Sequence, residues 1–277
     1  MNILSLFDGM SCGQIALDKL GIPVKNYFAA EIDKYAIQVA KSNYPEMVHL
    51  GDVKEIWVSN SYEGAIGGSP CTTGIDHKGV THKIDLLIGG SPCQGFSFAG
   101  KQLNFDDPRS QLFFEYVRLL KALKPKYFLM ENVKMKKESM DIITEYLGVE
   151  PIEINSNLVS AQNRKRLYWT NIPMKGLPQD KGIILKDILE PVEQIDDAYY
   201  YSDKSIAYME RGNDKWQQAG DRRADRYTQT PDTKKAFTIT ANFHKGVPYN
   251  YFDDVRDKSK CVRSGGRGSY DRHEWDS

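Results

Sequence analysis

Only four cysteines occur in the chain, Cys12, Cys71, Cys93 and Cys261, and no two form a CxxC pair. That excludes a disulfide-stapled scaffold and points to a reduced compartment. Neither charge is in excess: Lys+Arg and Asp+Glu each total 37, for a formal net charge of zero. A polyanionic partner would therefore have to meet a local cluster of basic groups. No apolar run is long enough to span a bilayer and no signal peptide opens the sequence, so the expectation is a cytoplasmic protein. Nor does a GxGxxG fingerprint follow the first apolar run, which argues against a dinucleotide ligand.

What is present suits a globular protein. The 277 residues are 40% hydrophobic and 27% charged, enough for one large α/β domain and a smaller lobe. Over the first 170 residues, short apolar runs alternate with amphipathic stretches. "NILSL" (2–6), "NYFAAE" (26–31), "VHLGD" (48–52), "KIDLLIGG" (83–90) and "KYFLMEN" (126–132) read as strands. "GQIALDKL" and "DKYAIQVAKSNY" read as helices, as does "SQLFFEYVRLLKAL", where Leu112, Tyr116, Leu119 and Leu123 share one face. Asp107 and Pro108 stand where a cap and a first-turn proline would start that last helix. The alternation predicts a doubly wound, mostly parallel α/β sheet covered on both faces. After about Asn171 the pattern fails, and from Tyr199 the chain is polar, aromatic and rich in Arg, Lys, Asp and Gly, as in an irregular lobe.

Chemistry-bearing residues gather where the strands end. The first strand runs into the turn "LFDGMSCG" (6–13), whose glycines allow close backbone approach by a ligand. Glu31 ends the second strand, where a carboxylate can accept from ribose hydroxyls, and Asp52 ends the third, within reach of an adenine amino group. An adenosine-containing cofactor at the carboxyl edge of the sheet accounts for all three features. Cys93 follows the fourth strand in "IGGSPCQGFSFAG", flanked by Gly89, Gly90, Pro92 and Gly95, as in a constrained exposed turn. A thiol there needs dipoles or cations nearby to act as a nucleophile. Glu131 ends the fifth strand in "FLMENV", and "AQNRKRLYW" (161–169) spaces Gln162, Arg164 and Arg166 two apart. On a strand those three side chains would share one face, and two guanidiniums on one face call for an anion, a carboxylate or a thiolate.

In order along the chain, these segments resemble the DNA (cytosine-5) methyltransferase family. "LFDGMSCG" is similar to its S-adenosylmethionine loop, "GGSPCQGFS" to its nucleophile loop and "DPRSQLFFEYVR" to the helix that follows. "ENV" is similar to its catalytic glutamate motif, and "QNRKRLYW" to its paired-arginine motif. The resemblance covers roughly residues 2 to 170 and is nearest to the phage and bacterial modification enzymes. It implies a Rossmann-like, S-adenosylmethionine-dependent fold with a small irregular target-recognition lobe. It also implies a catalytic set of Cys93, Glu131, Arg164 and Arg166. S-adenosylmethionine would be bound by Phe7, Asp8, Gly9, Met10, Ser11, Gly13, Glu31, Ile32, Asp52, Val53, Pro92 and Leu112. The implied partner is double-stranded DNA, met by Gln94 and Ser97 and by a basic cluster of Arg256, Lys258, Lys260, Arg263, Arg267 and Arg272. In this reading residues 1–172 form the catalytic domain, with an insertion at about 55–82, and residues 173–277 the recognition region.

The insertion carries a near copy of the nucleophile loop, "IGGSPCTTG" (66–74). Cys71 has the poor strand "SNSYEGA" before it and no helix like "DPRSQLFFEY" after it, so Cys93 is the expected nucleophile and Cys71 a decoy. The spacing of Cys71, His77 and His82 matches no standard zinc pattern, and no metal is expected. Two other readings use the same residues: a tRNA cytosine-5 methyltransferase, and a nucleic-acid-binding homologue without turnover. The family's closing helix and glycine–asparagine turn are not found after "KAFTITANFHKG"; a truncated chain is the first expectation, a split enzyme whose second polypeptide supplies them is the alternative, and the chain is otherwise expected to be a monomer.

Overall fold

The structure, a computed structural model, describes residues 1–61, 72–78, 80–92 and 108–196, together with 204, 207, 211, 228–229, 233–236 and 251–252. Cys71, Cys93, Gln94, Ser97, Asp107 and the whole basic cluster from Arg256 to Arg272 lie outside the described residues.

In chain order the elements are β1 (Asn2–Leu6), α1 (Cys12–Lys19), β2 (Asn26–Ala30), α2 (Lys34–Asn43) and β3 (Val48–His49). Next come β4 (Val58–Ser61), β5 (Thr72–His77) and β6 (Val80–His82). Then follow β7 (Leu86–Gly89), α3 (Pro108–Leu123), β8 (Tyr127–Val133), α4 (Lys137–Leu147), β9 (Ile152–Asn155) and β10 (Lys165–Thr170). Among the described residues the main sheet has seven strands in the order β3-β2-β1-β7-β8-β10-β9. β1 pairs in parallel with β2 and β7, β2 with β3, and β7 with β8, whereas β10 runs antiparallel to β8. This is the expected mostly parallel α/β sheet.

The apolar runs work as strands because both faces of the sheet are covered. Leu4, Leu6, Phe28, Leu87, Phe128 and Met130 point to one side. They pack with Phe113, Tyr116, Leu119 and Leu123 of α3 and with Ile143 and Leu147 of α4. The alternate residues Ile3, Tyr27, Ala29 and Leu86 point to the other side and pack with Leu17 of α1. That is the period-2 alternation of a sheet with a core on each face. The helical face read for α3 is nearly complete: Tyr116, Leu119 and Leu123 are buried, and Leu112 is partly buried against the same core.

Helix and turn signals act locally. Asp33 caps α2, accepting from the N–H groups of Tyr35 and Ala36 at 2.9 and 2.8 Å. Gly21 follows α1 with φ +65°, and Gly148 follows α4 with φ +69°, the left-handed stops that glycine adopts without strain. Strands β4, β5 and β6 form a separate antiparallel sheet, in the order β4-β5-β6. "SNSYEGA" reads as a poor strand, yet Ser59–Ser61 are paired with β5, since cross-strand pairing overrides weak intrinsic propensity. Among the described residues between Cys71 and β7 there are two strands and no helix. His77 and His82 of this sheet set their rings against Phe28, at 6.1 and 5.2 Å between centroids.

The chain divides into two compact units, Met1–Ile154 with Lys165–Gly176, and Asn155–Arg164 with the chain from Leu177. In the second unit, Gln162 bridges to Ala236 in parallel. Lys235 Nζ donates to the carbonyls of Asn157, Ser160 and Ile183. Among the described residues no helix is long and apolar enough to cross a membrane.

Candidate active site

Strand register builds the site. Leu6 pairs with Ala30 on one side and Gly89 on the other, and Gly89 pairs with Met130. Four parallel strands are therefore level at these residues, and the next row along the carboxyl edge reads Glu31, Phe7, Gly90 and Glu131. Open parallel sheets bind ligands at this edge, and the first-turn, carboxylate and glycine features of the sequence stand on it side by side.

The turn after β1 is held in an unusual conformation. Phe7 (φ 56°), Gly9 (φ 62°) and Ser11 (φ 63°) are all left-handed, which costs a non-glycine residue roughly 1–3 kcal/mol and persists where surroundings over-determine it. Those surroundings are specific. Asp8 N–H donates to the Ala30 carbonyl at 3.1 Å. Ser11 Oγ and Tyr27 Oη donate to the two oxygens of the Asp8 carboxylate at 2.5 and 2.8 Å. Burial first, and the neighbouring Asp8 charge second, push the Tyr27 hydroxyl far above its ordinary range, so it stays a donor. Gly13 lies against this network, where a Cβ would meet Tyr27 Oη at 2.7 Å and Ile88 Cδ1 at 2.2 Å.

Glu31 clamps the same turn. One oxygen accepts from Gly9 N–H, and the other accepts from Ile32 and Asp33 N–H, each at 2.8 Å. The carboxylate is thus oriented before any ligand arrives. Ile32 beside it is 74% exposed, an apolar side chain standing at a polar edge. Asp52 caps the turn Val53–Glu55, accepting from Lys54 N–H at 3.0 Å. That turn is fastened to α3 by Arg118, whose guanidinium donates to the carbonyls of Val53 and Ile56 at 3.2–3.3 Å. Val53 is buried in the core, Met10 is half exposed, and Pro92 is half-buried where the chain leaves β7.

At the other end of the row, Arg166 Nε lies 2.7 Å from Glu131 Oε1, with Arg166 only 15% exposed and Glu131 31%. β10 places Tyr168 opposite Glu131 and Arg166 opposite Val133, so the pair is a diagonal cross-strand contact on one face. A Cβ on Gly90 would meet Glu131 Oε2 at 2.8 Å, so glycine is what lets the chain after β7 pass over the carboxylate.

The expectation that Gln162, Arg164 and Arg166 share one strand face is not met, because β10 begins at Lys165. The preceding backbone pairs elsewhere. Arg164 N–H donates to Asn155 Oδ1 at 2.9 Å, Ser156 N–H donates to the Arg164 carbonyl at 3.1 Å, and Asn163 N–H donates to the Ala236 carbonyl at 2.8 Å.

Local sequence signals gave no role to Tyr27 or Arg118, and none to Asn132 beyond its place in "ENV". Tyr27 had a signal, a hydroxyl inside an otherwise apolar strand, since buried tyrosines seek a partner. Asn132 is 1% exposed, and its side chain donates to Ser91. Nothing in the sequence joins two residues 41 positions apart.

The profile of the family described as C-5 cytosine-specific DNA methylase matches residues 1–269. The chain belongs to this family. It is 36% identical over 202 residues to the Type II methyltransferase M1.ScrFI of Lactococcus lactis subsp. cremoris, covering 65% of this chain and 46% of the relative. It is 34% identical over 210 residues to the orphan methyltransferase M.SPRI of Bacillus phage SPR, covering 70% of this chain and 43% of the relative. The chain thus spans less than half the length of these two relatives. Among solved structures, the Dnmt2 methyltransferase of S. pombe is similar in fold, with a TM-score of 0.60 at 19% identity, over 91% of this chain and 76% of that one.

C-5 methyltransferases of this fold use S-adenosylmethionine as methyl donor, and the donor set at the edge fits it. Glu31 offers an oriented carboxylate for a ribose diol, Ile32 an apolar surface for a base, and Asp52 an acceptor for an exocyclic amine. The uncapped N-terminus of α1, following Ser11, suits a carboxylate.

Proposed function

We propose that the chain is the catalytic part of a DNA (cytosine-5) methyltransferase acting on double-stranded DNA through a covalent Cys93 adduct. The observation that carries this reading is the edge row itself. It sets the clamped Glu31, the strained first turn, Gly90 and the Glu131–Arg166 pair on one line, with Cys93 three residues beyond Gly90 in sequence.

The target cytosine leaves the duplex and enters at the carboxyl edge. The Cys93 thiolate adds to carbon 6, and the electron pair displaced from the 5,6 double bond makes carbon 5 nucleophilic. Glu131 accepts from the exocyclic amine through one oxygen and delivers a proton to N3 from the other, offsetting the charge that develops there, while Arg166 holds the carboxyl group in its plane. S-adenosylmethionine, when bound, would supply an electrophilic methyl group to carbon 5, the electron pair of the broken S–CH3 bond staying on the cofactor sulfur. Loss of the carbon-5 proton to a base and departure of the thiolate from carbon 6 restore the aromatic ring. In this reading Glu31, Ile32 and Asp52 bind the adenosine part of the cofactor, with the first turn from Phe7 to Gly13 around it and Val53, Pro92 and Leu112 alongside. Arg164 would position the base, and Gln94, Ser97 and the basic cluster from Arg256 to Arg272 would meet DNA, the cluster through phosphates.

Bisulfite sequencing of DNA and of tRNA from cells expressing the protein tests this. Protected cytosines in DNA, in one sequence context, are expected. Protection confined to tRNA would move the substrate to RNA, and protection in neither would indicate a homologue without turnover.

A further inference from the structure

We propose that Asn132 is a positioning residue that anchors Ser91, two residues before the nucleophile Cys93 in sequence; this rests on the covalent reading above. Asn132 follows Glu131 on β8 and is 1% exposed. Its amide is used on both sides. The Oδ1 atom accepts from the backbone N–H of Val133 at 2.8 Å, and Nδ2 donates to the carbonyl and to the hydroxyl of Ser91 at 3.4 and 3.3 Å. Ser91 is itself 4% exposed and stands two residues before Cys93. Side chains alternate along β8, so Glu131 and Asn132 point to opposite faces. One strand thereby presents the acid on one side and holds Ser91 on the other. Gly90 completes the arrangement, because its missing Cβ lets that segment lie against the Glu131 carboxylate.

An apolar side chain at position 132 would fill similar space but leave a buried carbonyl and hydroxyl of Ser91 without this donor. Asparagine is therefore explained by the bond it makes and not by packing. Two fixed points, Gly90 on Glu131 and Ser91 on Asn132, define where the chain enters Pro92. Such a device affects the step in which sulfur meets carbon 6, and leaves the cofactor edge at Glu31 untouched.

The test is the rate of covalent capture of a 5-fluorocytosine duplex with S-adenosylmethionine, for the unsubstituted chain, Asn132→Ala, Asn132→Asp and Ser91→Ala. Cofactor affinity is measured alongside by calorimetry. The Asn132 variants should capture at least about tenfold more slowly, since misplacement of a reacting group by about 1 Å can cost 10²-fold. Ser91→Ala, which keeps the carbonyl, should show a smaller loss and so covers the case in which Asn132 variants fail to fold. The concentration of DNA giving half-maximal rate and the cofactor affinity should stay within about twofold. Equal capture rates across the set overturn the positioning role alone. Loss of rate matched by equal loss of cofactor binding overturns it as well, in favour of a general structural role. No adduct from the unsubstituted chain overturns the covalent reading and the positioning role together.

Discussion

Arg166 reaches Glu131 across the antiparallel β8–β10 pair, Nε to Oε1 at 2.7 Å, from a position that is only 15% exposed. The guanidinium gives the carboxylate an orientation that a lysine could not reproduce, since an ammonium has no planar fork. Arg166→Lys should therefore lose methyl transfer nearly as fully as Arg166→Ala. Either change should cost roughly 1.5–3 kcal/mol, as for a hydrogen bond between charged groups, or about 10–150-fold in rate. Single-turnover transfer of labelled methyl groups to DNA checks this, and lysine restoring more than half the rate would show that charge alone suffices.

Glu31 joins the first turn to the edge through three backbone N–H groups. Glu31→Ala should weaken S-adenosylmethionine binding on the order of 1.5–3 kcal/mol by removing a charged acceptor. It should also lower thermal stability, because the left-handed turn at Gly9 loses a restraint. Glu31→Gln keeps one acceptor oxygen and should lose less of both. Calorimetry and a melting curve separate the two effects, and unchanged affinity in both variants would remove Glu31 from the cofactor site.

His49 predicts a pH dependence. Both ring nitrogens are buried without a hydrogen-bond partner among the described residues. Burial first, and the Lys41 charge second, lower its pKa, against a smaller upward pull from Asp8. The unfolded chain regains the ordinary value of about 6.5, so below that pH it binds a proton that the folded protein resists. Stability from this group is complete above about pH 6.5, falls as pH drops below it, and levels off beneath the lowered value. Denaturant titrations at about pH 7.5 and about pH 5 should show a smaller decline for His49→Phe than for the unsubstituted protein. An identical decline would assign the dependence to other groups.

The basic cluster predicts a salt dependence. Neutralising Arg263 and Arg267 should lower the log–log slope of DNA binding against salt by about 0.9 for each phosphate that is no longer neutralised. A slope unaffected by both changes would mean the cluster does not touch DNA.

Much of this arrangement is legible in the sequence because the strands are buried on both faces, so each announces itself as an apolar run ending in a residue with chemistry. Glu31, Glu131 and the first turn could be placed on one edge by that logic. The helical face of α3 could be read from Tyr116, Leu119 and Leu123 alone. What local patterns do not reveal is long-range. Gln162 pairs with Ala236, so the stretch that looks like one strand from Gln162 to Trp169 starts three residues late. Asn132 finds Ser91, and Arg118 finds Val53 and Ile56, through tertiary packing that no local pattern encodes. The β4-β5-β6 sheet was hidden for another reason: β4 is stabilised by its pairing with β5 and not by its own composition.

Everything in the proposed chemistry depends on which cysteine carries the base. Capture of a 5-fluorocytosine duplex in the presence of S-adenosylmethionine, followed by proteolysis and mass mapping of the cross-linked peptide, reads this directly. The adduct should lie on Cys93, vanish in Cys93→Ser, and persist unchanged in Cys71→Ser. An adduct on Cys71, or one that survives Cys93→Ser, would contradict the proposed site.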